Sequence, residues 1–405
     1  MTLSLSMIVR NEAERIAACL ESVRGFADEL VVLDTGSSDA TVAIAERCGA
    51  VVHQLAWPGD FAPARNEALR HVSGEWVLVL DADEQLLAEA REPLRQLMAQ
   101  PDLLLINLLR FERGARQSPY SNVSRLFRRH PALRWSGAYH AMVDDSVAAL
   151  LQAEPSWRVA DCPVPALLHD GYRPELLASG SKARRLRQAM EAELARNPGD
   201  PYACAKLGSL EVSEGNRERG VALLEQGLAR CPAEAHAERY ELLLHLALAP
   251  SDHGPQRAIE LYRQALEIPL PPRLTLAARL NLAQLLLAGG DGAGATALVE
   301  AACSAAPELA LVWFHRGVVE RQRGRLAEAI GAYRQAASLD PQAADTQQNL
   351  AVCLLLGGDI PGARSGFSRA IALLRQQGRS QEAEALHRQA GTLVKLEPLA
   401  LEPPA

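Results

Sequence analysis

Three carboxylates directly follow a short apolar run in the first quarter of the chain. Residues 76–80 are apolar and follow Gly74, a pattern that predicts a buried strand, and Asp81, Asp83 and Glu84 come next. Because side chains alternate along an extended chain, Asp81 and Asp83 are expected on one side. Carboxylates at the carboxyl end of a strand suit a divalent cation that holds a diphosphate. By itself an Asp-x-Asp pair is also typical of helix caps and solvated turns, so the neighbouring elements decide its meaning.

Further strands are predicted upstream of this run. Residues 3–9, 30–33 and 51–55 are predicted strands, and helical periodicity follows each of them, around residues 16–23, 42–47 and 63–71. Strands that alternate with helices indicate an α/β domain with a Rossmann-like, mostly parallel sheet. Since parallel strands end at one edge of a sheet, Asn11, Asp34 and Asp81 are expected to share that edge.

Four sequence blocks resemble family 2 glycosyltransferases of the GT-A fold. They are SMIVRNE (6–12), VLDTGSSDAT (32–41), DFAPARNEAL (60–69) and LDADE (80–84), and both their order and their spacing match. The resemblance covers roughly residues 1–175 and is nearest to bacterial members that add sugars to lipopolysaccharide core or to peptides. It implies that a nucleotide-sugar donor and Mn²⁺ or Mg²⁺ bind at the sheet edge.

The same resemblance implies roles for individual residues. HDGY (169–172) matches the His-x-Gly-Tyr block of these enzymes, which places His169 at the metal or the diphosphate. Neither a Gly-x-Gly-x-x-Gly nor a P-loop pattern follows the first strand, which disfavours those nucleotide folds. By resemblance, the residues expected at the nucleotide are Arg10, Asn11, Glu12, Asp34, Arg65 and Asp81, and those expected at the metal are Asp83 and His169.

The sequence offers more than one candidate for the catalytic base. RLFRR (125–129) precedes WSGAYH (135–140), where related enzymes carry a Glu directly after the His, but this chain has Ala141. An inverting transfer needs a group that accepts the proton of the acceptor hydroxyl. His140 and Asp144 are the expected candidates, with Asp145 next to them, and a solvated turn is the alternative for the two aspartates. Arg125 and Arg128 are expected to face a phosphate or to form a solvated basic surface.

Composition limits the functional classes. The formal net charge is −7 and only 4% of residues are aromatic, which disfavours nucleic-acid binding. Seven cysteines lack Cys-x-x-Cys spacing, so a zinc site or disulfide framework is not expected, and a reducing cytoplasmic compartment fits. No signal-peptide pattern and no apolar run of membrane-spanning length is seen in the sequence.

The second half of the chain repeats with a period of 34 residues. Turn glycines recur at 290, 324 and 358, small residues at 283, 317 and 351, and prolines at 307 and 341. This period predicts an all-α solenoid of about five tetratricopeptide repeats, whose surface usually binds a polypeptide. The predicted domains are a GT-A domain (1–175), a linking helix (176–196), the repeats (197–375), a capping helix (376–396) and a disordered tail (397–405).

Together these features predict a metal-dependent, cytoplasmic, hexosyltransferase-type enzyme. It would move a sugar from a nucleotide-sugar to a peptide, protein or glycan acceptor, and the repeats would bind that acceptor or a protein partner. The alternative, motivated by Ala141, is a catalytically impaired domain that serves as an interaction scaffold. A third interpretation is that the protein is a nucleotidyltransferase. The lack of a Gly-rich basic loop near the first strand disfavours that activity.

Overall fold

The computed structural model describes residues 1–115, 118–137, 141–171, 181–249 and 254–395, except for the side chains of residues 181 and 182. The chain divides into two compact units, Met1–Arg230 and Cys231–Ala405. The first contains the predicted sheet and the second contains helices, so each is described on its own.

An eight-stranded mixed sheet forms the centre of the first unit. Its order is β3-β2-β1-β4-β7-β6-β8-β5. The strands are β1 (Leu3–Val9), β2 (Glu29–Asp34), β3 (Val51–Gln54), β4 (Trp76–Val79), β5 (Glu84–Leu86), β6 (Leu103–Glu112), β7 (Tyr120–Arg128) and β8 (Arg158–His169). The pairs β3-β2, β2-β1, β1-β4 and β6-β8 are parallel, and the other three are antiparallel. The mostly parallel α/β sheet expected from the sequence is therefore confirmed.

Helices cover both faces of this sheet. They are α1 (Ile16–Ser22), α2 (Thr41–Arg47), α3 (Phe61–Ala68), α4 (Arg91–Met98) and α5 (Asp144–Ala153). Alternate residues of β4 enter different cores, since Trp76 and Leu78 pack in the cluster with α1 and α4, whereas Val77 and Val79 pack in the cluster with α5. A strand buried on both faces needs a continuous apolar run, which explains the sequence before Asp81.

The sheet curls so that its last strand returns to the end of β4. Only residues 80–83 connect β4 to β5, yet β7, β6 and β8 lie between them in the sheet. Four steps of about 4.8 Å would separate the two strands by roughly 19 Å in a flat sheet. The connection cannot span that distance, because it turns: the Glu84 N–H donates to the Asp81 carbonyl at 2.9 Å. Curling therefore brings β5, and the β8 strand paired with it, back to the Asp-x-Asp segment.

Helices make up the rest of the described chain. The first unit continues with α6 (Ser181–Arg196), α7 (Pro201–Ser213) and α8 (Arg217–Arg230), and α7 packs against both of the others. The second unit contains four packed pairs and a final helix. These are α9 (His236–Leu248) with α10 (Pro255–Glu267), α11 (Leu276–Ala288) with α12 (Gly292–Ala305), α13 (Ala310–Gln322) with α14 (Leu326–Leu339), α15 (Ala344–Leu356) with α16 (Ile360–Gln376), and α17 (Ser380–Gly391).

The 34-residue period has a direct structural basis. Gly290, Gly324 and Gly358 have φ values of 87°, 74° and 82°, so each occupies the left-handed turn between two paired helices. Gly317 lets the pair approach closely, because a Cβ there would lie 2.6 Å from the Tyr333 ring. The all-α repeat architecture is confirmed. No helix in the described residues is long and apolar enough to cross a membrane.

Candidate active site

The turns that follow β1 and β2 are hydrogen-bonded to each other. Asn11 has a φ of 57°, its side-chain oxygen accepts from the Ser38 N–H at 2.8 Å, and its own N–H donates to the Ser37 hydroxyl at 2.9 Å. The buried Asp34 carboxylate accepts from the N–H groups of Gly36 and Ser37, at 3.1 and 3.0 Å. Asn11 and Asp34 thus lie at one edge, as predicted, and Asp34 organises the β2 turn.

The Arg10–Glu12 turn is linked to the Asp-x-Asp segment through Arg15. Arg10 is exposed, whereas Glu12 is half-buried and its N–H donates to the Thr41 hydroxyl at 2.8 Å. Arg15 lies 2.6 Å from the Glu12 carboxylate and 3.7 Å from that of Asp83. Burial raises the pKa of Glu12 more than Arg15 lowers it, and the nearby Asp83 adds to the increase.

Asp81 lies between two arginines. One carboxylate oxygen accepts from Arg65 Nη2 at 2.7 Å, and the other accepts from Arg125 Nη2 at 2.9 Å. Burial alone would raise the pKa of Asp81, but Arg125 and Arg65 outweigh it and hold the pKa well below its usual range. The Arg65 guanidinium is only 7% exposed and stacks over the Trp135 ring, 4.9 Å from its centroid. Sequence resemblance placed Arg65 and Asp81 in one pocket, and the structure brings them into contact.

Asp83 faces His169 beside the paired strands β5 and β8. Glu84 pairs with His169 in the antiparallel β5-β8 ladder, and the Asp170 N–H donates to the Asp83 carbonyl at 3.0 Å. The Asp83 carboxylate consequently lies 3.4 Å from His169 Nε2, and the Glu112 carboxylate lies 2.5 Å from Nδ1. Burial would lower the pKa of His169, but hydrogen bonds to Asp83 and Glu112 raise it to about 9.

Glu112 belongs to a row of alternating charges that links the two halves of the site. Arg110 donates to Glu84 at 2.6 Å and to Glu112 at 2.8 Å, and the Ser121 hydroxyl also donates to Glu112. Glu84 in turn accepts from the Asp81 N–H at 2.9 Å. Burial of Glu112 is outweighed by its bonds to His169 and Arg110, which lower its pKa to about 2. The row therefore fixes the positions of Asp81 and His169 relative to each other.

Gly171 allows the His169 ring to occupy its position. A Cβ at residue 171 would lie 2.3 Å from both Cε1 and Nε2 of the imidazole, which is far closer than atoms can approach. The glycine of the HDGY block is therefore required for a steric reason, since only a residue without a side chain leaves room for the ring.

The donor set fits a divalent cation that is partly coordinated by substrate. The described residues contain no group of three or more His, Cys, Asp or Glu side chains poised to hold a metal. Asp83 and His169 instead offer one carboxylate and one imidazole nitrogen side by side, and Glu112 fixes the ring from its other nitrogen. Mg²⁺ and Mn²⁺ sites commonly use one or two protein ligands and complete their shell with phosphate oxygens and water.

Of the candidate bases, only the aspartates belong to the described residues. Asp144 begins α5 and accepts from the Ser124 hydroxyl at 2.8 Å, and Ser124 precedes Arg125 on β7. Desolvation of the carboxylate raises the pKa of Asp144, although the residue as a whole is exposed. Asp145 accepts from the Ser136 hydroxyl at 2.7 Å, and both aspartates are exposed in the first turn of α5. His140 lies outside the described residues.

Arg128 lies away from this site, although a phosphate contact was one of its two interpretations from the sequence. It pairs with Trp76 at the opposite end of β4, where its guanidinium bonds to Glu75 and stacks on the Trp76 ring. Arg129 lies nearby and donates to the Gly74 carbonyl at 2.9 Å. Only Arg125 of the three arginines reaches the Asp-x-Asp segment, because the antiparallel course of β7 carries Arg125 to the carboxyl end of β4 and Arg128 to its start.

Sequence reasoning missed Arg15, Arg110 and Glu112. Arg15 is one helical turn from Glu12, a spacing that predicts an ion pair, and this signal was available. Arg110 and Glu112 lie at the end of β6, and their partners are set by the β6-β8 and β6-β7 registers. Nothing in the local pattern distinguishes them from solvated charges.

Family models match both parts of the chain. The family model of glycosyl transferase family 2 matches residues 4–158, and tetratricopeptide repeat models match residues 280–344 and 320–389. An uncharacterized glycosyltransferase of Rickettsia felis is 38% identical over 97 residues, 24% of this chain and 34% of that protein. The SPbeta prophage-derived glycosyltransferase SunS of Bacillus subtilis is 27% identical over 205 residues, 49% of this chain and 47% of that protein.

One relative matches along almost the full length of both proteins. A TPR repeat-containing protein of Synechococcus elongatus is 43% identical over 384 residues, which cover 95% of each chain. The chain therefore belongs to the family of that cyanobacterial protein, and in this chain a glycosyl transferase family 2 domain is joined to tetratricopeptide repeats.

Proposed function

We propose that this protein is a metal-dependent enzyme that transfers a hexose from a nucleotide-sugar to a hydroxyl of a peptide, protein or glycan, with inversion at the sugar carbon. The observation that carries the proposal is the placement of Asp83 and His169 beside the Arg65–Asp81 pair at the carboxyl edge of the sheet. Carboxylates, an imidazole and guanidinium groups in one place suit a divalent cation and a nucleoside diphosphate.

Different residues at the carboxyl edge of the sheet would bind different parts of the donor. Arg10, Asn11, Glu12 and Asp34 form the turns that would hold the base and ribose, and Arg65 and Asp81 would follow towards the phosphates. Asp83 and His169 would hold Mn²⁺ or Mg²⁺ with the diphosphate, and Glu112 would keep the His169 ring turned towards the cation. A bound cation stabilises the charge that develops on the departing diphosphate.

Asp144 is the base that the geometry favours among the described residues. Its carboxylate bonds to Ser124, the neighbour of Arg125, and Arg125 holds Asp81. A raised pKa suits proton acceptance from an acceptor hydroxyl, because a more basic carboxylate takes the proton more readily. His140, the first candidate from the sequence, lies outside the described residues and stays a candidate on the resemblance of its sequence block.

The repeats are proposed to bind the acceptor or a protein partner in the cytoplasm. Domain limits of 1–175 for the transferase and 197–375 for the repeats, with residues 176–196 and 376–396 as flanking helices and 397–405 as a tail, follow the sequence patterns. The alternative is a domain that binds donor without turnover and acts as a scaffold, which Ala141 in place of the expected Glu favours.

Ligand-induced stabilisation tests the proposal. Thermal unfolding is measured with a panel of nucleoside diphosphates and nucleotide-sugars, with and without Mn²⁺, for the wild type and for Asp83→Ala. A ligand at about 100 times its Kd adds about 2.7 kcal/mol to the free energy of unfolding. We expect Mn²⁺ to increase the nucleotide effect only in the wild type. An equal Mn²⁺ effect in Asp83→Ala would remove Asp83 from the site, and binding without any turnover would favour the scaffold.

A further inference from the structure

Two aromatic side chains stay exposed and touch each other at the start of α3. Trp57 is 37% exposed and Phe61 is 36% exposed, and among the described residues these are the aromatic members of the exposed large apolar set. Their rings meet edge to face, with centroids 5.1 Å apart. Aromatic residues form only 4% of the chain, and a pair left in water offers a flat apolar surface to a ligand.

The chain before Trp57 runs alongside the Asp34 turn. β3 ends at Gln54, and the next residue, Leu55, donates its N–H to the Asp34 carbonyl at 2.9 Å. Trp57 follows two residues later. The aromatic pair therefore begins at the same carboxyl edge of the sheet that carries Asn11 and Asp34.

The helix after Trp57 ties the pair to the charged part of the site. Phe61 and Arg65 are four residues apart on α3 and so share one face of it, and Arg65 holds Asp81 at 2.7 Å. Asp60 caps the helix by accepting from the Ala62 N–H, and α3 packs against β1 and β2. The ring positions are thus fixed by the elements that position the carboxylates.

We propose that Trp57 and Phe61 form the wall against which the base of the donor nucleotide packs. This inference rests on the proposed function and adds the part of the nucleotide site that the polar residues do not supply. Asn11 and the serines of the β2 turn are hydrogen-bonded to one another, and in the proposed function these turns form the polar part of the pocket. A planar base also needs an apolar or aromatic partner for its face, and every base has such a face.

The position along the sheet edge favours the base over the acceptor. β3 and β4 are three steps apart in the order β3-β2-β1-β4, or roughly 14 Å at about 4.8 Å per step. An acceptor must reach the sugar carbon next to the diphosphate, which the carboxylates after β4 would hold. The base is the end of the donor farthest from that carbon, so the β3 side of the edge suits it.

Binding of UDP and of inorganic pyrophosphate separates the base from the phosphates. Both affinities are measured by titration calorimetry with Mn²⁺ on the full-length protein, for Trp57→Ala, Trp57→Phe and Phe61→Leu. We expect Trp57→Ala to raise the Kd for UDP roughly 5- to 150-fold, the range that stacking of one base supplies, and to leave pyrophosphate binding unchanged. Trp57→Phe should keep most of the UDP affinity. Trp157→Ala is the matched control, because that ring lies over Arg128 and away from the site.

Each other outcome overturns the inference. Unchanged UDP affinity in Trp57→Ala and in Phe61→Leu would assign the pair to another ligand, such as the acceptor. An equal loss of UDP and pyrophosphate would mean that the segment only positions Arg65. A wild-type protein that is folded but binds neither ligand would overturn the proposed function, and the inference with it.

Discussion

Glu112 and His169 form a carboxylate–imidazole pair in which Glu112 faces Nδ1 at 2.5 Å and leaves Nε2 turned to Asp83 at 3.4 Å. Glu112 is itself held by Arg110 and by the Ser121 hydroxyl. The ring that would coordinate a cation is therefore oriented by a buried carboxylate that does not itself face the Asp-x-Asp segment.

Replacing Glu112 should weaken metal binding while the nucleotide turns stay intact. Glu112→Gln removes the charge that orients the His169 ring, and loss of such a partner typically lowers metal affinity about 10- to 100-fold. Mn²⁺ affinity in the presence of UDP is measured by electron paramagnetic resonance.

Glu67→Gln is the control for this prediction. Glu67 also contacts an imidazole, since it lies 3.4 Å from His71 Nε2, but that pair is not part of the charged row. A loss of Mn²⁺ affinity of the same size in both variants would show that Glu112 has no special role.

Gly171→Ala should displace the His169 ring and impair metal binding in the same way. The added methyl would lie 2.3 Å from two ring atoms, so the imidazole has to move. Gly331→Ala, at a helical position with open space around it, should keep Mn²⁺ binding and add up to about 1 kcal/mol of stability. Normal Mn²⁺ affinity in Gly171→Ala would mean that His169 does not bind the cation.

Asp81→Asn should destabilise the protein even without ligand. Arg65 is buried and would lose its anionic partner, which costs on the order of 2–3 kcal/mol for a buried charged group. Urea unfolding of the two forms checks this value. Asp102→Asn breaks the exposed pair with Arg158 and should change little. If both variants unfold at the same urea concentration as the wild type, the Asp81 pair contributes nothing to folding.

Asp144→Asn should slow release of nucleoside diphosphate from the donor and leave donor affinity unchanged. Loss of a general base typically lowers a rate about 100- to 10,000-fold. Because the pKa of Asp144 is raised, the wild-type rate should increase with pH through the acidic range as the carboxylate loses its proton. Asp145→Asn, at the adjacent candidate, is measured in parallel. Equal rates in Asp144→Asn and the wild type would leave His140 and Asp145 as the candidate bases.

Strands and turns of the first half could be predicted from the sequence because their signals are local. The first four predicted strands lie within one residue of β1, β2, β3 and β4, since each is a short stretch rich in apolar residues that is followed by a turn. The shared edge of Asn11, Asp34 and Asp81 follows from parallel pairing alone. The 34-residue period was likewise visible, because a left-handed turn requires a glycine in each repeat.

Contacts across the curled part of the sheet could not be predicted. β5 has only three residues, and its sequence Glu-Gln-Leu carries no strand pattern, yet it pairs with the end of β8. This pairing, and not any local motif, places His169 beside Asp83. The positions of Arg125 and Arg128 along β4 also depend on the register of β7 against β4, which periodicity does not specify.

The pairing of β5 with β8 also has a consequence for how the domain folds. Asp83 and His169 are far apart in the chain, and they meet only through the pairing of β5 with β8. During synthesis on the ribosome, the Asp-x-Asp segment is therefore made long before His169. Closing contacts of such long sequence separation is slow, because the entropy of a large loop has to be overcome first. Affinity for the cation would therefore appear only at the final step of folding, and the rate at which it appears during refolding would report completion of the sheet.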